Sequence, residues 1–221
     1  MRKIYYALLV LVSLNSCKKY DLPVDNGCIE RITRQNFMVK TSDSAVAVNL
    51  FKQNNIAYSD LQFEYINIDT AKNDLGSDIF QNVFAIQFIN GLPVLSFDMG
   101  YSFKNGIFQQ FTGKRYSGVN LDTRAQQLLP RLRELYVAEV SKNTTNDNAA
   151  KLKDSCLVAE FGYYDLNGNV DNSTANFVKA WSVTPKHALY PQVFFRDDNE
   201  KTIVYYGGIC TELINGRNCL F

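Results

Sequence analysis

The sequence predicts an α+β fold of two similar units, each one helix packed on an antiparallel sheet of about four strands. Three observations carry this expectation. Two stretches, residues 42–54 and the run from Pro130, space their apolar residues at helical intervals. After each come segments in which apolar and polar residues alternate, separated by turn pairs such as Asn-Gly. The second half also repeats the first. Phe84-x-x-x-Phe88 followed by Asn90-Gly91-Leu92-Pro93-Val94 is matched by Phe177-x-x-x-Trp181, then Thr184-Pro185 and Tyr190-Pro191-Gln192-Val193. A helix stripe laid across the apolar face of a sheet gives such a unit its core.

In chain order, Lys18 to Gly27 is a polar tether that reaches about 30 Å when extended. The folded part starts at Cys28. Ser42 or Asp43 caps a helix whose stripe is Ala45, Val48, Leu50 and Phe51, and the Asn54-Asn55 pair ends it. Leu61, Phe63 and Tyr65 alternate with polar neighbours as in a half-buried strand, and Ala71 to Asp78 reads as a polar loop. Val83 to Asn90 is a strand. Asn90-Gly91 with Pro93 turns the chain into a strand from Val94 to Phe103, and Lys104-Asn105-Gly106 turns it back into Ile107 to Phe111.

Thr112 to Leu129 connects the halves, with small-residue breaks at Gly113, Ser117 and Gly118. Pro130 suits the first turn of a helix, where its missing N–H costs nothing, and Leu132, Leu135, Tyr136 and Val140 form the buried stripe. Cys156 to Asp165 and Ala175 to Thr184 are strands around an Asn167-Gly168 turn. Gln192 to Arg196 and Thr202 to Tyr206 form a last hairpin whose solvated tip is Asp197-Asp198-Asn199-Glu200. The division is therefore 28–118 for the first unit and 119–221 for the second.

The amino terminus speaks for a compartment. Arg2 and Lys3 precede an apolar run, Ile4 to Leu14, of about eleven residues. That length is within the roughly 7–15 of a signal-peptide core and short of the about 20 that a membrane-crossing helix needs. The run ends Leu14-Asn15-Ser16-Cys17, which resembles the lipobox of bacterial lipoproteins. The resemblance implies that residues 1–17 are a lipoprotein signal peptide and that the Cys17 thiolate takes a diacylglyceryl group. It implies two or three acyl chains, palmitate among them, where a single chain would hold only marginally. Lys18, standing where an Asp would retain such a protein at the inner membrane, implies the outer membrane, facing the periplasm or the cell surface.

Processing leaves about 205 of the 221 residues, enough for one larger domain or two small ones. Taking Arg2 and Lys3 from 23 basic residues leaves 21 against 22 acidic ones, so the mature chain is nearly neutral and has no electrostatic footprint for nucleic acid. Thirteen Tyr and fifteen Phe favour β-sheet. Besides Cys17 there remain Cys28, Cys156, Cys210 and Cys219, an even number that reads as disulfides in an exported chain. Three connectivities exist. Closing Cys210 to Cys219 around Asn215-Gly216 is the easiest and leaves Cys28 with Cys156. Zinc would ask for CxxC spacing, which these cysteines do not have.

Gln87-Phe88-Ile89-Asn90-Gly91-Leu92-Pro93-Val94 and Ala180-Trp181-Ser182-Val183-Thr184-Pro185 resemble the PepSY family and the propeptide modules of thermolysin-type peptidases. The second matches a W-x-V strand near the end of such modules. The resemblance covers about Asp43 to Gly208. It implies a cystatin-like α+β fold in two PepSY-like units and a role in binding, and sometimes inhibiting, peptidases. The chain departs from the pattern in having no HExxH peptidase motif of its own.

The chemical motifs are sparse. His187 is the one histidine, which rules out a multi-histidine metal site, and it sits beside Pro185 in a bend without a G-x-S-x-G near it. Asp165-x-Asn167-x-Asn169-x-Asp171 alternates oxygen ligands as a calcium loop does, yet its glycine and closing residue are misplaced, so a hairpin turn is expected. Neither GxGxxG nor a Walker sequence occurs. Tyr163-Tyr164 and Tyr205-Tyr206 should each place one ring in the core and one outside.

The expectation is then a lipid-anchored, non-enzymatic envelope protein that needs no cofactor and no metal and binds a protein or peptide partner, such as a peptidase. The alternatives are a surface hydrolase using paired carboxylates and a glycan- or nutrient-binding accessory lipoprotein.

Overall fold

A computed structural model describes residues 27–33, 41–73, 76–96, 98–143, 152, 155–168, 174–213 and 216–220, of which 41, 73, 209–213 and 216–220 are described by backbone alone. In order they form β1 (Ile29–Ile32), α1 (Thr41–Gln53), β2 (Leu61–Asn73), β3 (Gly76–Ile89), β4 (Leu92–Pro93), β5 (Met99–Lys104) and β6 (Ile107–Thr112). Then come α2 (Leu129–Asn143), β7 (Leu157–Asp165), β8 (Phe177–Pro185), β9 (Gln192–Arg196), β10 (Thr202–Tyr206), β11 (Ile209–Leu213) and β12 (Gly216–Leu220).

This corrects the α+β expectation of two cystatin- or PepSY-like units, each one helix on about four strands. The protein is mostly β: strands make up 47% and helices 18%. One five-stranded sheet holds β2, β3, β5 and β6 in that order, with β4 paired to β3; another runs β1-β7-β8-β9-β10; β11 and β12 pair alone. Two sequence features hid this. Within the expected loop Ala71 to Asp78, residues 71–73 and 76–78 are strand, with Thr70 opposite Ile79 and Lys72 opposite Ser77. And β1 lies in the second sheet, parallel to β7 with Ile29 opposite Leu157, although the chain order sets it in front of the first.

The turns follow the residues that form them. Asn90-Gly91 and Asn105-Gly106 all have positive φ, the backbone that lets two residues reverse a twisted hairpin. Helix α1 ends where Asn55 takes positive φ, with Ile56 N–H donating to the Phe51 carbonyl (2.9 Å) and Asn55 N–H to Lys52 (3.2 Å). The Asn54 amide donates to the Gly106 carbonyl at 2.8 Å, and its oxygen accepts from Phe108 N–H at 2.8 Å, so the helix end is tied to the β5–β6 turn.

The core has two main parts. In the first, Ala47, Leu50 and Phe51 of α1 pack with Phe63, Val83, Ala85, Met99, Tyr101 and Phe103. In the second, Leu132, Tyr136 and Val140, the stripe expected of α2, pack with Leu157, Ala159, Phe161, Trp181, Val183, Val193 and Phe195. The other face of the second sheet is also covered: Tyr164, Val178, Ala180 and Phe194 pack against Leu95 from the segment after β4. Tyr163 and Tyr164 are therefore both buried, against the expected alternation, while Tyr206 of the second pair is exposed.

The sheets meet at that segment. Val94 bridges to Tyr163, and Leu95 N–H donates to the Tyr163 carbonyl at 2.8 Å. The approach needs Gly162, since a Cβ there would stand 2.3 Å from the Pro93 carbonyl oxygen. The connector is fastened on both sides. Tyr116 N–H donates to Gln87 Oε1 (2.9 Å), Gln87 Nε2 returns a bond to the Tyr116 carbonyl (2.7 Å), and Arg115 pairs with Asp60 on the first sheet. Lys114 and the Tyr116 hydroxyl reach Asp165 on the second sheet at 3.4 and 3.0 Å.

Candidate functional site: a groove between the two sheets

Beside the junction the sheets leave a groove of about 390 Å³. Glu64 and Tyr65 of the first sheet and Asp98, just ahead of β5, line it together with Ile32, Val158, Glu160, Ser182, Thr184 and Gln192 of the second, and with Leu189 and Tyr190. Among the described residues its lining includes three carboxylates and no basic side chain.

A β-bulge builds the first wall. In a regular strand neighbours point to opposite faces, so Glu64 and Tyr65 could not share one groove. Here Phe63 pairs with Ala85 and Tyr65 with Phe84, which leaves Glu64 as the extra residue and re-aims the strand. Tyr65, which the alternation aligned with the buried Phe63, is instead 51% exposed, and Ile66 packs against the core. The Tyr65 ring lies on Phe84, centroids 4.3 Å apart and planes 16° apart. Partial burial, then the negative charges of Asp98 and Glu64, raise the Tyr65 hydroxyl pKa, so the phenol stays protonated as a donor at neutral pH.

The second wall is regular. Glu160 stands directly opposite Ser182, and Val158 opposite Thr184, on the face turned from α2. Gln192 Nε2 donates to Ser182 Oγ at 2.8 Å, which holds both side chains in place. Ile32, on the strand edge, lies opposite Glu160.

The residues singled out in the sequence lie elsewhere. Cys17 is outside the described residues. Cys28 and Cys156 form a disulfide that staples β1 to the start of β7. Arg133 of α2 supports it by donating to the carbonyls of Cys28 (3.1 Å) and Ser155 (2.8 Å). Cys210 and Cys219 stand opposite each other in the β11–β12 register, where the backbone alone is described. His187 is exposed in the bend after β8 and does not line the groove.

Of the calcium-like stretch, Asn169 and Asp171 are outside the described residues, and Asp165 is a buried anchor. Its Oδ1 accepts N–H bonds from Asn167 (3.0 Å) and Asn176 (2.8 Å), and its Oδ2 accepts from Tyr116 and Lys114. Burial pushes its pKa up, but those donors outweigh burial and leave it below the usual carboxylate value. Asp197 is likewise buried, which corrects the solvated hairpin tip. It accepts from Trp181 Nε1 at 2.9 Å and from the N–H groups of Gln126 (2.9 Å) and Gln127 (3.0 Å), fixing the chain just ahead of α2. Asp198 and Asn199 are exposed as expected. Among the described residues no cluster of His, Cys, Asp and Glu is arranged to hold a metal ion.

The groove itself escaped the sequence reading, because its walls are 32 or more positions apart along the chain and one depends on a bulge. The nearest signal was the run Tyr65-Ile66, two large apolar residues in succession within an alternating strand. No family model matches the chain. No curated protein matches it either.

Proposed function

We propose that this is a lipid-anchored envelope protein of non-enzymatic, binding type that holds its ligand in the groove between the sheets. One observation carries the reading: the bulge at Glu64 turns two consecutive side chains of an otherwise regular strand into a cleft walled by aromatic and hydrogen-bonding groups. Bulges are over-represented at sheet edges, where β2 lies, and next to active sites, where they re-aim a side chain. The anchor rests on the Leu14-Asn15-Ser16-Cys17 sequence, and with Lys18 after it the outer membrane is the proposed location. The peptidase-directed form of the reading rests on the PepSY resemblance alone, and the mostly β architecture gives it no support.

A second reading has its own observation. Glu64, Asp98 and Glu160 line the same groove, and a pair of carboxylates is the machinery of glycoside hydrolysis. One experiment separates the two. Full-length protein and a Thr184→Trp variant, which puts a large ring on the groove lining, are compared for capture of envelope components and for turnover of defined substrates. Capture by the parent alone, with equal thermal melting of both, supports binding. Turnover that the variant loses reverses the choice. Cell fractionation and the mass of the amino-terminal peptide test the anchor, and a Cys17→Ser chain should remain unprocessed.

A further inference from the structure

Building on the groove reading, we infer that the ligand is a neutral saccharide, one or two sugar rings docked with a C–H face on Tyr65. Stacking on Phe84 occupies one face of the Tyr65 ring; Tyr65 lines the groove and is half exposed, so the other face is the one it can offer a ligand. An aromatic face carries the negative side of its quadrupole and attracts the positively polarised C–H groups of a flat pyranose face.

The facing wall supplies what the rim of such a ring requires. Glu160, Ser182, Thr184 and Gln192 lie on three adjacent strands, with Gln192 and Ser182 held by their mutual bond. Hydroxyls and the amide both donate and accept, and carboxylates accept, which together match a ligand rich in O–H groups. A phosphate or carboxylate ligand would instead confront three like charges.

A cationic peptide is the competing class; the hydroxyls and amide of the facing wall, which a cation would leave unused, favour the neutral ring. Glu64, Asp98 and Glu160 each already have an interaction inside the protein. What they offer a ligand is remaining lone pairs, of which a carboxylate has about four. Neutral O–H donors use these in short charge-assisted bonds without requiring a bare charge. The size agrees, since about 390 Å³ lies at the lower end of the roughly 300–1,000 Å³ typical of small-ligand sites.

The test is calorimetric titration of the full-length protein, in a detergent without a sugar headgroup, with neutral hexose and pentose oligosaccharides of graded length. A Lys-Tyr-Lys-Tyr-Lys peptide serves as the cationic counter-probe. At least one oligosaccharide should saturate a single site. Tyr65→Ala should weaken it about tenfold or more, and Tyr65→Phe should keep it within about threefold, with melting temperatures unchanged. Absence of any saccharide binding, or equal binding by Tyr65→Ala, overturns the inference. If the peptide binds instead and Thr184→Trp abolishes that, the saccharide class fails and the groove reading stands. If neither probe binds and Thr184→Trp leaves envelope capture unchanged, both fail. Cleavage of a bound saccharide keeps the ligand class and overturns the non-enzymatic part of the reading.

Discussion

The second sheet is covered on both faces, and the first is covered well on one. Strand β7 is buried at every position but one, by α2 and the connector on one side and by Leu95 and its neighbours on the other. Strand β6, at the edge of the first sheet, is exposed at every position, with Ile107 64% exposed. The contrast separates two jobs. The doubly covered sheet is the frame: the disulfide, Arg133, Asp165 and Asp197 all fasten onto it. Both sheets carry a bulge, but only the singly covered one can turn a residue such as Tyr65 outward at it, because its outer face belongs to no core. The groove forms where the frame meets the adaptable sheet.

The largest effect that would sharpen this contrast is loss of the Cys28–Cys156 disulfide, which closes a loop across 128 positions. Freeing so long a loop in the unfolded chain should cost about 4–5 kcal/mol. Denaturant unfolding of Cys28→Ser/Cys156→Ser against the oxidised parent measures it. If the sheets unfold in separate steps, only the step reporting Trp181 should move; equal movement of both would mean that frame and groove wall are one cooperative body.

A pair of glycines tests the same contrast. Gly162 faces backbone, with an added Cβ 2.3 Å from the Pro93 carbonyl oxygen, and no rotation can relieve that. At Gly100 the added Cβ meets the Thr112 hydroxyl at 2.4 Å, a side-chain end that can turn away. Gly162→Ala should cost about 2–3 kcal/mol and Gly100→Ala under about 1 kcal/mol by chemical denaturation. Equal costs would erase the distinction between frame and adaptable sheet.

How legible each region was follows from the same physics. The α2 stripe Leu132, Tyr136 and Val140 and both Asn-Gly turns were readable, because helical spacing and positive-φ chemistry are local. Tyr163-Tyr164 misled because alternation assumes one dry face, and β7 has two. Tyr65 misled for the opposite reason: a single extra residue at Glu64 shifts the strand's phase, and no residue type announces a bulge. The loop expectation for Ala71 to Asp78 failed where polar residues such as Lys72 and Ser77 continue strands at exposed positions. The carboxylates Asp165 and Asp197 looked like exposed turn residues; beyond their nearer donors, the connector and the α2 entry, 49 or more positions away in sequence, supply the N–H and O–H groups that complete their burial.

The frame should also have an acid limit of its own. Asp165 sits below its ordinary pKa in the folded protein. The stability it contributes is therefore complete above the unfolded value near about pH 4, and it is lost as the pH falls through the lower folded value. Protonation would leave the Asn167 and Asn176 N–H groups, Tyr116 and Lys114 facing a neutral acid. Urea unfolding from pH 6 down to pH 2.5 should show the loss, and Asp165→Asn should remove that part of the slope at the cost of lower stability at neutral pH. An unchanged slope in the variant would place the acid sensitivity in other carboxylates.

The smallest effect belongs to the exposed edge. Ile107 is mostly in solvent, and Thr keeps the β-branched shape that a strand favours. Ile107→Thr should then change stability by less than about 0.5 kcal/mol. At Val193, fully buried against Trp181 and Leu157, Val193→Thr, which exchanges one methyl for a hydroxyl, should cost about 1–3 kcal/mol, because the new hydroxyl has an apolar environment and its transfer from water is uncompensated. Thermal and urea unfolding of the two variants side by side give the comparison. A large loss at Ile107 would mean that β6 is covered in solution by something that shields its six positions from water, and the first sheet would then be closed on both faces like the second.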